Sequence, residues 1–206
     1  MDKAFSVLEE QLVYQGFFSL IRYRFRHTLY RGGWSEVLDR ELFHRGRCVA
    51  VIPYDPKLDR VVLIEQFRVG AMKTEHDPWL LEIVAGAIEE GEEPPEVAHR
   101  EALEEAGCTI DRLLPIYEFF TTPGGCSEKL TLFCGIVDAS AIGGHYGLAE
   151  EQEDIRVRVV SYDEAMALLA EGKIDSAIPI VALQWLALNR DGLRRRYGGS
   201  EDRTIA

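Results

Sequence analysis

Glu101, Glu104 and Glu105 crowd a short segment that opens on Arg100 and stops at Gly107; Gly86 and Glu92 lie on the approach to it. The stretch reads GAIEEGEEPPEVAHREALEEAGC over residues 86–108, a glycine loop, a proline pair and three acids halted by a glycine. Carboxylates gathered in this way hold hard divalent cations, and a cation so held can face a negatively charged substrate. The chemistry suggested is metal-assisted work on a negatively charged substrate.

The spacing predicts the element that carries these acids. Pro94 and Pro95 suit a first helical turn, where a missing N–H costs nothing and φ is already helical. Gly107 suits a left-handed C-terminal cap. With Ala98 at zero on a helical wheel of about 100° per residue, Pro95, Ala102, Ala106 and Leu103 fall between about 40° and 140°, an apolar stripe. Glu101, Glu104 and Glu105 fall between about 240° and 340°, an acidic edge beside it. Glu101 and Glu105 repel across one turn, a cost of a few tenths of a kcal/mol that a lysine at either site would remove. An acidic face of this kind is most often merely solvated. Here Glu105 adjoins the alanine edge, so it should be partly shielded, and clustered shielded carboxylates need a cation to stay ionised together. Mg²⁺ is the expected ion, with Mn²⁺ able to replace it.

The elements around the helix follow from periodicity. Residues 5–46 alternate as short strands divided at Gly16, Gly32-Gly33 and Gly46, and Arg22, Arg24 and Arg26 interleave with Tyr23 and Phe25, giving one basic and one aromatic face. A sheet this small is hard to stabilise alone and should lean on the main domain or on a second copy. From Cys48 onward, CVAVIPYD and RVVLIEQFR read as strands joined by a turn over Asp55–Asp59. WLLEIVAG reads as one strand running into the glycine loop, and PIYEFFTT and LTLFCGIV as two more. A Gly-rich loop from Gly143 ends in an acidic run to Asp154, before the strand IRVRVV. Two helices follow, YDEAMALLAEGKI and SAIPIVALQWLALNR, and the polar tail beyond Arg194 should fray. These elements predict an α/β (α+β) fold, an α/β/α sandwich with a mixed sheet over 47–206, preceded by a small antiparallel sheet domain over 1–46.

The 206 residues suffice for one sizeable domain with a small appendage, and 47% hydrophobic with 28% charged residues is ordinary for a globular chain. A net charge of −12 argues against a nucleic-acid surface. It leaves an anionic small molecule open, because metal ions invert the local field. No apolar run reaches a membrane span, and the N-terminus has no signal-peptide core. Cys48, Cys108, Cys126 and Cys134 form no CxxC pair, and a reducing cytoplasm is the expected compartment.

Gly86, five residues, Glu92, seven residues, Arg100-Glu101, apolar Ala102, one residue, Glu104-Glu105, one residue, Gly107 and apolar Cys108 fill every fixed position of the Nudix box. The chain therefore resembles the Nudix hydrolases, which cleave a diphosphate linked to another group. Pro123, sixteen residues beyond Gly107, together with GFFSL, VLIEQFR, WLLEIVAG, GLAEEQEDIRV and EGKID, resembles the bacterial ADP-ribose pyrophosphatases over roughly residues 10–190. The resemblance implies a homodimer whose N-terminal sheet reaches across to the partner, and Mg²⁺-dependent hydrolysis of ADP-ribose to AMP and ribose 5-phosphate. It implies metal ligation by Glu101 and Glu105 with Glu104 close by, by the backbone carbonyl of Ala85, and by Glu153. It assigns the general base to Glu151 over its neighbour Glu150, which spacing alone does not separate. It places Arg68 against the phosphates or terminal ribose, Phe17 on the adenine, and Arg40 and Glu128 among the ligand-recognition positions. It casts Glu92 and Arg100 as structural residues that brace loop against helix. The alternatives are a hydrolase of another nucleoside diphosphate sugar such as GDP-mannose, a dinucleoside polyphosphate hydrolase, and a non-catalytic ADP-ribose-binding sensor. Sensors of that kind lose a box glutamate, and this chain keeps all three.

Overall fold

The computed structural model describes residues 2–73 and 77–199, with the side chain of Glu151 left out. The chain divides into two compact units, Met1–Arg47 with Phe119–Lys129, and Cys48–Glu118 with Leu130–Ala206.

In the first unit, β1 (Phe5–Gln15), β2 (Ser19–His27) and β3 (Leu38–His44) form an antiparallel sheet in that order. The alternation of β2 behaves as the sequence predicts, with Arg22, Arg24 and Arg26 exposed and Tyr23 and Phe25 half-buried. The arginine face is not uniformly basic, because Arg22 and Arg24 pair with Asp39, and Arg24 also with Glu9. Residues 119–129 are stitched to β3: the Phe43 N–H donates to the Gly125 carbonyl at 2.8 Å, and the Ser127 N–H to the Phe43 carbonyl at 3.1 Å.

The second unit carries β4 (Arg47–Asp55), β5 (Arg60–Phe67), β6 (Trp79–Glu82), β7 (Val84–Ala87), β8 (Arg112–Phe120), β9 (Lys129–Ile136), β10 (Gly144–Tyr146) and β11 (Ile155–Ser161). These form one sheet along β10-β11-β5-β4-β9-β8, with β6 paired to β5 and β7 to β4. The fold is α/β, a small antiparallel sheet and a larger sheet with helices α1 (Pro94–Ala106), α2 (Tyr162–Ala170) and α3 (Ala177–Tyr197). Side chains alternate across a strand. Val49 and Val51 of β4 and Val62 and Ile64 of β5 join Val97, Ala98, Ala102 and Ala106 of α1 in one apolar cluster. Ala50, Ile52 and Leu63 point the other way and are equally buried. Beyond the sheet, α2 packs on β5 and β11, and α3 packs on α2.

Four elements depart from the sequence reading. WLLEIVAG is two strands: Trp79–Glu82 pairs with Phe67–Ile64, then the chain breaks at buried Ile83, and Val84–Ala87 pairs with Val51–Cys48. The change of partner ends one ladder and starts another, which a mainly apolar run broken only by Glu82 does not announce. The Gly-rich segment contains β10, with Tyr146 opposite Ile155. Helix α3 continues past Arg194 to Tyr197, because Leu193 is buried, Arg194 pairs with Asp59 and the Gly198 N–H bonds back to the Arg194 carbonyl. Residues 200–206 of the tail lie outside the described residues.

The fourth departure concerns α1. Its ends are as predicted, with the prolines in the first turn and Gly107 left-handed at φ 61° and ψ 21°. Its buried face is not. Val97 and Glu105 are buried with the alanines, whereas Pro95 is exposed and Leu103 is 58% exposed. The face is therefore centred near Glu105 rather than on the far side of the alanines.

Candidate active site

Strand β7 and helix α1 bring the box residues together, and the loop between them is braced as the sequence suggests. The Glu92 carboxylate accepts from the Glu89 N–H at 2.8 Å and lies 3.7 Å from the Arg100 guanidinium. Gly86 is required for a reason invisible in sequence. A Cβ there would lie 2.0 Å from Glu101 Oε1 and 2.5 Å from its Cγ, so any side chain would push the Glu101 side chain aside.

Glu105 points inward, 3% exposed, with Oε2 accepting from the Ala85 N–H at 2.9 Å. Burial pushes its carboxyl up to about 8; the Ala85 N–H opposes the shift, and the charges of Glu101 and Glu153 add to it. Glu101 is raised to about 7, first by burial, against the nearby Arg100, with Glu104 and Glu153 reinforcing the rise. Arg100 reaches Glu101 at 3.0 Å and Glu104 at 2.9 Å, one cation shared by two acids.

Glu153 comes from the loop between β10 and β11, and its charge acts on both Glu101 and Glu105. Its carboxylate accepts from the Leu148 N–H at 3.3 Å and its own N–H donates to the Leu148 carbonyl at 3.2 Å. Glu150 is exposed in the short 3-10 turn Ala149–Glu151. The side chain of Glu151, the expected base, lies outside the described residues. Arg68 follows β5 and holds Glu82 at 2.7 Å, and its charge is felt at Glu105.

The structure thus gathers Ala85, Glu101, Glu104, Glu105, Glu153 and Arg68 in the second unit. The other three expected substrate contacts belong to the first. Phe17 is 94% exposed and stands edge-on to Phe18. Arg40 donates to the Asp39 carbonyl, and Glu128 is buried with Arg45 at 2.8 Å.

A metal fits this donor set. Among the described residues no three carboxyl, imidazole or thiol groups already converge on one point, since Glu101 and Glu104 both turn to Arg100. The donors are nonetheless all oxygen, two are driven toward protonation by burial and mutual repulsion, and a hard dication relieves that repulsion. The sequence reading missed Tyr146, whose hydroxyl lies where a side chain on Gly107 would stand. A single aromatic within a Gly-rich loop was the only signal available for it.

Comparison with known proteins follows the same lines. A family profile for the NUDIX domain matches residues 44–182. The ADP-ribose pyrophosphatase of Escherichia coli K12 is 49% identical over 191 residues, 93% of this chain and 91% of that protein. The ADP-ribose pyrophosphatase of Haemophilus influenzae is 46% identical over 194 residues, 93% of this chain and 89% of its own. The GDP-mannose pyrophosphatase of Cronobacter sakazakii is 34% identical over 150 residues, 72% of this chain and 78% of that protein. A crystal structure described as an ADP compounds hydrolase superposes with a TM-score of 0.67 at 20% identity, covering 95% of this chain and 97% of its own, a likeness of fold.

Proposed function

Since this chain belongs to the Nudix family, and is a hydrolase acting on a diphosphate, we propose that its substrate is ADP-ribose and its products AMP and ribose 5-phosphate. The observation that carries the reading is the Glu105 carboxylate, buried against the Ala85 N–H with the charges of Glu101 from its own helix and Glu153 from a loop acting on it. The substrate is chosen over GDP-mannose because ADP-ribose pyrophosphatases match at 46–49% identity over 93% of the chain, and the GDP-mannose relative at 34% over 72%.

The carboxylates of Glu101, Glu105 and Glu153, with Glu104 adjoining and the Ala85 carbonyl, would hold Mg²⁺, for which Mn²⁺ would substitute. The chemistry a bound dication supplies there is neutralisation of diphosphate charge and acidification of water. Glu151 takes the proton of the attacking water and orients it, an effect typically worth about 10²–10⁴-fold. The water oxygen bonds to phosphorus, the bridging P–O bond breaks, and the departing phosphate takes up a proton. Arg68 meets the phosphates or terminal ribose, exchanging part of its pairing with Glu82 for the substrate. Phe17 stacks on adenine, and Arg40 and Glu128 recognise the rest of the ligand.

We read the chain as a homodimer in which residues 1–46 form the dimerising sheet domain and 47–206 the Nudix domain. The compartment we assign is the cytoplasm, in keeping with the buried thiols of Cys108, Cys126 and Cys134. Among the described residues no helix is long and apolar enough to cross a membrane. A GDP-mannose hydrolase is the second reading, favoured by the 34% relative. The test is a product assay with Mg²⁺ and equal concentrations of ADP-ribose, GDP-mannose and diadenosine polyphosphates. The proposal expects ADP-ribose to give the highest kcat/KM; GDP-mannose in first place would replace the substrate and keep the site. Binding of ADP-ribose without turnover would make the protein a sensor.

A further inference from the structure

Gly107 meets two demands at once. Its φ of 61° ends α1 in the left-handed region, and the space where its side chain would stand is taken by a ring from elsewhere in the chain. A Cβ on Gly107 would lie 2.3 Å from Tyr146 Oη, 2.5 Å from Cζ and 2.7 Å from Cε1. The Tyr146 ring is therefore seated on the C-terminal end of the helix that carries Glu101, Glu104 and Glu105. Tyr146 is half-buried and packs on the cluster formed by α1 and the sheet.

The next residue makes a second, independent link. The Gly147 N–H donates to the Glu104 carbonyl at 3.2 Å, so the backbone of the loop is bonded to the backbone of the acidic turn itself. Gly147 also lies so close to the end of its loop that a Cβ there would be 2.7 Å from the Glu153 Cβ. With Glu153 tied to Leu148 by both its carboxylate and its N–H, and Tyr146 opposite Ile155 in the β10–β11 ladder, the loop is closed at its base. A carboxylate on a loop is free to wander unless something fixes that loop to the element bearing its partners.

We propose that Tyr146, seated on Gly107, is the positioning residue that holds Glu153 in register with the helix glutamates. This rests on the reading of Glu153 as a metal ligand beside Glu101 and Glu105. Tyr146 touches no reacting atom; it acts through the placement of Glu153. Two of the three atoms nearest the Gly107 seat, Cζ and Cε1, belong to the ring, so phenylalanine should serve and alanine should not.

The experiment compares wild type, Tyr146→Phe, Tyr146→Ala and Tyr146→Leu by thermal melting, by Mn²⁺ binding followed with electron paramagnetic resonance in the absence of substrate, and by steady-state ADP-ribose hydrolysis. Tyr146→Leu retains apolar bulk and supplies the readout should the alanine variant fail to fold. The expected result is Mn²⁺ affinity lowered about 10–100-fold in the folded Ala or Leu variant, the range typical when a group that orients metal ligands is removed. A matching fall in kcat should accompany it, with KM within about threefold, and phenylalanine should restore both. Amide exchange in residues 147–154 should quicken in the same variants. Unchanged Mn²⁺ affinity and kcat in a folded Ala or Leu variant overturns the proposal, as does phenylalanine behaving like alanine. If the wild type binds Mn²⁺ and hydrolyses no diphosphate, the functional reading fails, and the binding series still decides the role of Tyr146.

Discussion

Glu105→Gln should make the metal-free protein more stable in mild alkali while removing its activity. The side chain is 3% exposed, its carboxyl is raised from 4.5 to about 8, and the causes are burial first and then repulsion from Glu101 and Glu153, against the Ala85 N–H. A carboxyl raised on folding contributes a stability that is complete below its unfolded value, lost progressively as pH rises, and gone once pH passes the folded value. At about 1.4 kcal/mol per pH unit the window from 4.5 to about 8 spans roughly 5 kcal/mol. Glutamine does not titrate and keeps a carbonyl oxygen for the Ala85 N–H, but its amide N–H₂ brings a desolvation cost of about 1 kcal/mol. The net gain at pH 8.5 is about 3–4 kcal/mol, which for a chain of this size raises Tm by about 6–16 °C. The assay is thermal unfolding of both proteins in EDTA at pH 5 and pH 8.5. The gain should vanish or reverse at pH 5, where the wild-type carboxyl is protonated in the fold. Adding Mg²⁺ should raise the wild-type Tm far more than the mutant Tm, and turnover by the mutant should fall at least about 100-fold. A mutant no more stable than wild type at pH 8.5, or a difference equal at both pH values, would refute the account of a buried and mutually repelling carboxylate.

Three other outcomes are expected. Glu151→Gln should lower kcat by about 10²–10⁴ while leaving Mg²⁺ binding within a few-fold, since a base rather than a ligand is lost; calorimetric binding beside steady-state kinetics checks it. Mg²⁺ affinity should rise from pH 6 to pH 8.5 with proton release, because Glu101 near 7 and Glu105 near 8 must give up protons to bind; calorimetry in buffers of differing ionisation heat measures that release. Asp59→Asn should cost about 2–3 kcal/mol at pH 7, because the Asp59 carboxylate takes bonds from Tyr54, Arg190 and Arg194. The Arg190 bonds, against burial, hold the Asp59 carboxyl below its ordinary range, so its contribution is present above about 4 and is lost as pH falls through the depressed value; acid unfolding curves should converge there.

Local chemistry was what the sequence made legible. Helix α1 was bounded from both ends because prolines and a glycine act through their own backbone, without regard to tertiary context. The alternation of β2 and the turn at Asp55–Asp59 were readable for the same reason. What escaped was decided by partners distant in the chain. Trp79–Glu82 and Val84–Ala87 read as one mainly apolar run until β5 and β4 claim its two halves. The wheel placed Leu103 on the inner stripe, but the sheet meets α1 on the side of Val97 and Glu105. The seat of Tyr146 on Gly107 joins residues thirty-nine apart, and Asp59 meets Arg190 across 131 residues; neither pairing has a periodic signal.

The most direct test of the account is hydrolysis of ADP-ribose by the wild-type protein with Mg²⁺ in H₂¹⁸O, followed by mass spectrometry of the products. The account predicts AMP and ribose 5-phosphate in equal amounts, with a single ¹⁸O carried on a phosphate group of one of them. Intact ADP-ribose after prolonged incubation, or products with no ¹⁸O on either phosphate group, would contradict it.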